Sequence, residues 1–148
     1  MKQLRIYTDG SCNNLKPEQG MGTGVTIENS QGVKLFECSS LVHAVYGKTT
    51  SNIAEFYALH QALQEVLNNY LVPSEIVLYT DSQLLYEALT GKATLQEPTL
   101  MTLLENIDYC IDRITATGGS VNALWIPREE NKACDALSKL LRHANIQH

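Results

Sequence analysis

The order of strand-like and helix-like segments constrains this chain most. Three runs rich in β-forming residues come first, over residues 2–8, 21–28 and 33–43, and turn residues separate them. The short link after the second run predicts antiparallel neighbours, so the three strands should form a meander. From residue 51 onward, helical and strand-like segments alternate, which favours parallel strands joined by crossover connections.

The later segments are distinguished by the spacing of their apolar residues. A 3.6-residue spacing indicates helices, whereas short, continuous apolar runs indicate buried strands. The predicted helices span residues 51–70, 82–89, 99–115 and 130–143, and the predicted strands span 75–80 and 121–126. The predicted order is therefore βββαβααβα, with a turn over residues 9–19.

Composition is typical of a globular chain and excludes several classes of protein. The 148 residues are 44% apolar and 18% charged, which favours one domain over residues 1–148. No apolar run approaches the ~18 residues of a membrane span, and the first residues lack the apolar stretch of an export signal. The four cysteines are far apart and form no Cys-x-x-Cys pair, which disfavours a zinc ribbon and favours reduced thiols in the cytoplasm.

Net charge argues against non-specific binding of nucleic acid. The formal charge is -5 at pH 7, so long-range attraction to phosphate is weak over much of the surface. Two bound divalent ions would add four positive charges and reverse the sign locally. The charge therefore argues against a non-specific nucleic-acid binder and does not exclude a site that binds cations.

Acidic residues stand at the ends of two strands that resemble each other. Asp9 follows Ile-Tyr-Thr in the first strand, and Asp81 follows Leu-Tyr-Thr in the fourth. If these strands are parallel neighbours, both carboxylates emerge at the carboxyl edge of the sheet, where α/β proteins bind ligands. Glu55 lies in the first turns of one predicted helix, and Asp135 lies near the start of the last.

Clustered carboxylates repel one another unless cations lie between them. Carboxylate oxygens suit Mg²⁺ or Mn²⁺, and a pair of such ions can activate water and stabilise the leaving oxygen of a phosphodiester. Taken singly, each acid has an ordinary structural explanation: a turn residue or cap for Asp9 and Asp81, a solvated helix face for Glu55, and a surface ion pair with Lys132 or Lys139 for Asp135. Only the combination indicates a metal site.

Four segments together resemble the type 1 ribonuclease H family, and the resemblance spans almost the whole chain. It implies an α/β, ribonuclease H-like fold: a five-stranded mixed sheet, three antiparallel strands then two parallel, flanked by helices. The matching segments are residues 7–12 (Tyr-Thr-Asp-Gly-Ser-Cys), 48–55 (Lys-Thr-Thr-Ser-Asn-Ile-Ala-Glu), 80–83 (Thr-Asp-Ser-Gln) and 131–135 (Asn-Lys-Ala-Cys-Asp).

The resemblance implies an endonuclease that cuts the RNA strand of an RNA–DNA hybrid with two Mg²⁺ or Mn²⁺ ions and leaves 5′-phosphate ends. Asp9 would bridge both ions, and Asp135 would help to hold the ion that activates water. Glu55 and Asp81 would hold the ion at the leaving 3′ oxygen. A monomer that makes no membrane contact is expected.

The resemblance also implies which polar residues contact the duplex. Thr50 and Lys48 resemble residues that grip a DNA-strand phosphate, although capping of the helix start is an equal alternative for Thr50 and Ser51. Family members often carry Asn where Ser51 stands. The residues implied in backbone and groove contacts are Cys12, Asn13, Ser51, Asn52 and Gln83.

Two departures from the family pattern are visible. Many members have a Gly-rich loop with a histidine before the last helix, whereas residues 127–130 here read Pro-Arg-Glu-Glu, which leaves Arg128 or Glu129 to take that role. The basic insertion found in some members is also missing from residues 90–98, so we expect weak hybrid affinity with a shallow salt dependence.

Several alternatives stay open at this point. The same chemistry on double-stranded RNA or RNA–DNA junctions is compatible with the motifs, and so is a non-catalytic binding domain on the same scaffold. An adaptor with no nucleic-acid role has only the net charge in its favour. Tyr79, Trp125 and Cys134 are assigned to the core, and the Gly-x-Gly-x-Gly of residues 20–24 is assigned to close strand packing or a bulge.

Overall fold

The computed structural model describes residues 2–13, 20–43, 50–70 and 73–144, with side chains described as far as residue 141. Five strands and four helices follow one another in the predicted order βββαβααβα. The strands are β1 (Lys2–Cys12), β2 (Met21–Asn29), β3 (Lys34–Val42), β4 (Ser74–Thr80) and β5 (Ser120–Trp125). The helices are α1 (Ser51–Asn69), α2 (Gln83–Leu89), α3 (Pro98–Ala116) and α4 (Lys132–Ala144).

The strands form one mixed sheet in the order β3-β2-β1-β4-β5. β1 pairs with β2, and β2 with β3, in antiparallel fashion, whereas β1–β4 and β4–β5 are parallel pairs. The predicted arrangement of three antiparallel strands followed by two parallel ones is confirmed. Because β1 and β4 run side by side in the same direction, their carboxyl ends lie at the same edge of the sheet.

The first strand is longer than predicted. The expected turn at Asp9 does not occur: β1 continues to Cys12, and Asp9 pairs with Gly24 of β2. The parallel pairing of β1 with β4 ends at Tyr7, two residues before Asp9. Antiparallel partners on β2 satisfy the backbone of a segment whose composition suggests a turn, so Asp9 sits on a paired strand instead of a loop.

The main core lies between one face of the sheet and helices α1 and α3. Alternate residues of β1 and β4 point towards α1, as the two-residue period of a strand requires. Among the described helices, none is long and apolar enough to cross a membrane. The largest fully buried side chains are Phe56, Leu4, Ile6, Met21, Ile27, Ile53, Leu59, Leu63, Ile76, Leu85 and Ile107.

Helix α4 covers part of the opposite face, and glycines of β2 allow it to lie very close. A Cβ atom at Gly22 would come within 1.6 Å of the Ser138 carbonyl oxygen, and one at Gly24 within 2.4 Å of the Cys134 carbonyl oxygen. The Ser11 hydroxyl also donates to the Ser138 carbonyl at 2.8 Å. The close packing predicted at the Gly-x-Gly segment is present, but the partner is helix α4; the irregularity of the β2–β3 pairing lies further on, between Ile27 and Glu28.

The core assignments hold for Cys134 but not for Trp125. Cys134 is buried, and its Sγ lies 3.1 Å from the Tyr7 carbonyl oxygen. Trp125 is 47% exposed: it is the last residue of β5, which lies at the edge of the described sheet. Its indole Nε1–H donates to the Asp81 carbonyl at 3.1 Å, which fixes the ring beside the carboxyl edge of the sheet.

Candidate metal centre

Three acidic side chains from separate elements meet at the carboxyl edge of the sheet. Asp9 comes from β1, Glu55 from α1 and Asp81 from the residue after β4. One oxygen of each carboxylate lies within 4.8 Å of an oxygen of each of the others. These are three of the four acids singled out in the sequence, and we call this group the carboxylate cluster.

The close approach of α1 to β1 brings Glu55 into the cluster. A Cβ atom at Gly10 would come within 2.2 Å of the Ala54 carbonyl carbon and 2.3 Å of the Glu55 backbone nitrogen. The helix can therefore rest on the strand only where the side chain is missing. Thr50 caps α1, and its hydroxyl oxygen accepts a hydrogen bond from Ile53 N–H at 3.1 Å.

Burial makes the charges of Asp9 and Glu55 costly. Asp9 is 3% exposed and Glu55 is 8% exposed. Burial raises the pKa of Asp9 to about 7, and the nearby charges of Asp81 and Asp135 add to the rise. Burial and the hydrogen bond with Asp9 raise the pKa of Glu55 well above its ordinary value. Without a cation, the two carboxyl groups therefore retain a proton at a pH where exposed acids have lost theirs.

Asp81 is held by contacts on both its backbone and its side chain. The Trp125 indole binds its carbonyl oxygen, and the Asn131 Nδ2 donates to its Oδ2 at 3.4 Å. Burial raises the pKa of Asp81, while the Asn131 hydrogen bond and the charge of Arg128 act in the opposite direction.

Asp135 lies beside the carboxylate cluster without belonging to it. It lies in the first turn of α4, and its nearby carboxylate helps to raise the pKa of Asp9. Its Oδ2 also lies 3.2 Å from the Lys139 Nζ, one helical turn further on. Asp135 thus forms the ion pair with Lys139 that would explain it without a metal site, and it also lies near Asp9.

The donor set fits a hard divalent cation. All its ligand atoms are carboxylate oxygens, the type that Mg²⁺ and Mn²⁺ prefer. The Glu55 Oε2 is buried and has no hydrogen-bond partner among the described residues. A buried carboxylate oxygen without a donor is costly, and a cation between the three acids would remove both that cost and their mutual repulsion.

The residues implied in duplex contacts lie near the carboxylate cluster along the chain, and their contact roles stay predictions. Thr50, Ser51, Asn52 and Gln83 are exposed, at or near the N-terminal ends of α1 and α2. Lys48 lies outside the described residues. Thr50 caps α1, which is the structural role considered as an alternative to contact with the duplex. Cys12 and Asn13 are partly buried at the end of β1.

Two residues of the site received no role from the sequence. Asn131 is buried and bridges Thr8 and Asp81, and Trp125 holds the backbone of Asp81. Asn131 belongs to the segment that carries the family resemblance, and this was the only indication in the sequence that it belongs to the site.

A groove of about 440 Å³ between α1 and α3, which includes His60 and Arg113, lies apart from the carboxylate cluster and contains none of its acids.

Comparison with known proteins identifies the family. The family model for RNase H matches residues 1–141. Ribonuclease H of Haemophilus influenzae is 31% identical, and the match covers 93% of this chain and 88% of that protein. Ribonuclease HI of Pasteurella multocida is 30% identical, with the same coverage of 93% and 88%.

Solved structures give the same result. LC11-RNase H1, solved in complex with an RNA/DNA hybrid, is 28% identical and superposes with a TM-score of 0.82, covering 97% of this chain and 99% of its own. RNase H1 of Halobacterium salinarum shares the fold. It is 22% identical and superposes with a TM-score of 0.81, covering 96% of this chain and 98% of its own. The five-stranded mixed sheet and the sequence matches lead to the same conclusion: this chain belongs to the RNase H family.

Proposed function

We propose that this chain hydrolyses the RNA strand of RNA–DNA hybrids in a reaction that requires a divalent metal. The observation that carries the proposal is the carboxylate cluster, in which Asp9, Glu55 and Asp81 from three separate elements lie within 4.8 Å of one another. Charges as buried as those of Asp9 and Glu55 are retained in proteins chiefly when they are paired or bind metal.

The cations would be held by the cluster and Asp135. Asp9 is central, because its carboxylate interacts with those of Glu55, Asp81 and Asp135. We propose two ions, Mg²⁺ or Mn²⁺, with Asp9 contributing to both and Asp135 contributing to one. Such ions supply a water nucleophile at neutral pH and neutralise charge on the leaving oxygen. The protein's own contribution is to fix the acids on a strand, two helices and a strand end.

The substrate proposal rests on the family and on the hybrid bound to LC11-RNase H1. An RNA–DNA hybrid presents 2′-hydroxyls in a shallow minor groove, which polar side chains can contact. We propose that Thr50 and Lys48 contact a DNA-strand phosphate. Arg128, whose charge acts on Asp81, is our candidate for the role of the missing loop histidine. The residues proposed to contact the minor groove and backbone are Cys12, Asn13, Ser51, Asn52 and Gln83.

Location and oligomeric state are part of the same proposal. The four cysteines, all described, form no disulfide, which suits the reducing cytoplasm. We propose a monomer there, in keeping with the resemblance.

The test compares substrates and one variant. Labelled RNA–DNA hybrid, double-stranded RNA and double-stranded DNA are each incubated with the protein and Mg²⁺ or Mn²⁺, beside Asp9→Asn. We expect cleavage of the RNA strand of the hybrid only, with loss of cleavage in the variant and in excess chelator. Preferential cleavage of double-stranded RNA would show that this duplex, and not the hybrid, is the substrate. Equal cleavage by the wild type and Asp9→Asn would refute the assignment of the active site to the carboxylate cluster.

A further inference from the structure

Asn131 occupies an unusual position between the carboxylate cluster and the sheet. It is 2% exposed and directly precedes α4. Its Nδ2 donates to the Thr8 carbonyl at 2.9 Å and to the Asp81 Oδ2 at 3.4 Å. One amide group therefore connects β1, the start of α4 and a carboxylate of the cluster.

The orientation of this amide is set by its two acceptors and not by the helix that it precedes. An asparagine before a helix commonly turns its side-chain oxygen towards the first-turn N–H groups. Here the Oδ1 is buried and has no partner among the described residues. The opposite orientation would place that oxygen against the Thr8 carbonyl and the Asp81 carboxylate, so repulsion excludes it.

The unpartnered oxygen has an energetic meaning. A buried acceptor without a donor is costly, so the Asn131 Oδ1 disfavours the folded state. The bonds to Thr8 and Asp81 must compensate for this cost. Because the Thr8 carbonyl belongs to the strand that carries Asp9, the amide sets the position of the Asp81 carboxylate relative to Asp9.

We infer that Asn131 is a positioning residue for metal binding, which acts by orienting the Asp81 carboxylate towards the cluster. The inference rests on the proposed function, since it assumes that the cluster binds divalent cations. Residues that orient metal ligands typically change metal affinity or activity by about 10–100-fold when they are removed. The expected defect is therefore in cation affinity and not in the chemical step.

The experiment measures cation dependence in Asn131→Ala, with Asn122→Ala as a matched control because Asn122 is an exposed asparagine of β5. Mn²⁺ binding is followed by calorimetry and by quenching of Trp125, the single tryptophan of the chain. Hybrid cleavage is measured over a range of Mg²⁺ concentrations. We expect Asn131→Ala to need about 10–100-fold more cation, with cleavage largely restored at saturation. Asn122→Ala should match the wild type.

Two additions separate positioning from a purely structural role. Asn131→Ser keeps one short donor and is measured in parallel, with thermal unfolding recorded without cation, so that each variant is assayed where it is folded. In the Asp81→Asn background, Asn131→Ala should add no further loss of Mn²⁺ affinity, because its effect passes through the Asp81 carboxylate.

The outcomes distinguish this inference from the proposed function. An active wild type with an unchanged cation requirement in Asn131→Ala would overturn the inference alone. An undiminished effect of Asn131→Ala in the Asp81→Asn background would also overturn it, as would loss of folded structure in both variants at saturating cation. A wild type that binds Mn²⁺ but cleaves no hybrid would instead refute the proposed function.

Discussion

Replacing Asp9 with asparagine should stabilise the cation-free protein at high pH while it abolishes cleavage. The pKa of Asp9 rises from an ordinary value of 3.8 to about 7 in the folded protein. Between these two values the folded state holds a proton that the unfolded state has lost. Stability that is present below pH 4 is therefore lost as the pH rises to about 7, and the loss is constant above that pH.

The size of the effect follows from this shift. A rise of this size lowers the free energy of unfolding of the wild type by at most about 4 kcal/mol at pH 8. About 3 kcal/mol of this loss occurs between pH 5 and pH 8. The asparagine side chain cannot ionise, so the variant should gain stability over the wild type as the pH rises. For a chain of this length the gain corresponds to an increase in Tm of about 6–12 °C at pH 8 relative to pH 5.

The assay is urea unfolding of both proteins in chelator at pH 5, 6, 7 and 8. The difference between the two proteins is the quantity of interest, because groups that titrate alike in both cancel in it. Glu55 does not cancel: Asp9 helps to raise its pKa, so the substitution lowers that pKa and adds to the gain in the same direction. Saturating Mg²⁺ should then stabilise the wild type more than the variant at pH 8. A difference that does not change with pH, or a variant that becomes relatively less stable as the pH rises, would refute the proposed burial cost of the cluster.

Three further predictions concern packing, capping and substrate affinity. Gly22→Ala should cost about 3 kcal/mol or more in urea unfolding, because its Cβ would lie 1.6 Å from a backbone oxygen of α4; a loss below about 1 kcal/mol would show that α4 can move away. Thr50→Ala should cost about 1 kcal/mol by removing the α1 cap, whereas Thr50→Ser should be nearly neutral; equal losses would contradict the capping role. Hybrid affinity, measured with Asp9→Asn, should fall only gently with salt, and a slope like that of about 10 phosphate contacts would contradict this.

Local periodicity was sufficient to predict the order of the elements. The apolar spacing of α1 and the short apolar run of β4 are properties of neighbouring residues, so the sequence reveals them. The length of β1 was not predictable in the same way. Asp9, Gly10 and Ser11 have the composition of a turn, and only pairing with β2, which is distant in sequence, keeps them in a strand.

The acidic residues of the site could be predicted from the sequence, but the residues that hydrogen-bond to Asp81 could not. Asp9 and Asp81 stand after similar strand sequences, and parallel pairing brings such positions to one edge. The roles of Asn131 and Trp125 depend on which acceptors the fold places beside them. An asparagine before a helix suggests a cap, and a tryptophan on a strand suggests a core position. The bond from Trp125 to the Asp81 carbonyl overrides the second expectation.

The bond between Asn131 and Thr8 joins residues that are 123 positions apart. Protein synthesis delivers β1 before α4, so a growing polypeptide on the ribosome lacks this hydrogen bond until α4 has been made. Premature termination before α4 would leave the three acids of the cluster without Asp135 and without their amide anchor. The four acids would then come together only after α4 has docked on the sheet.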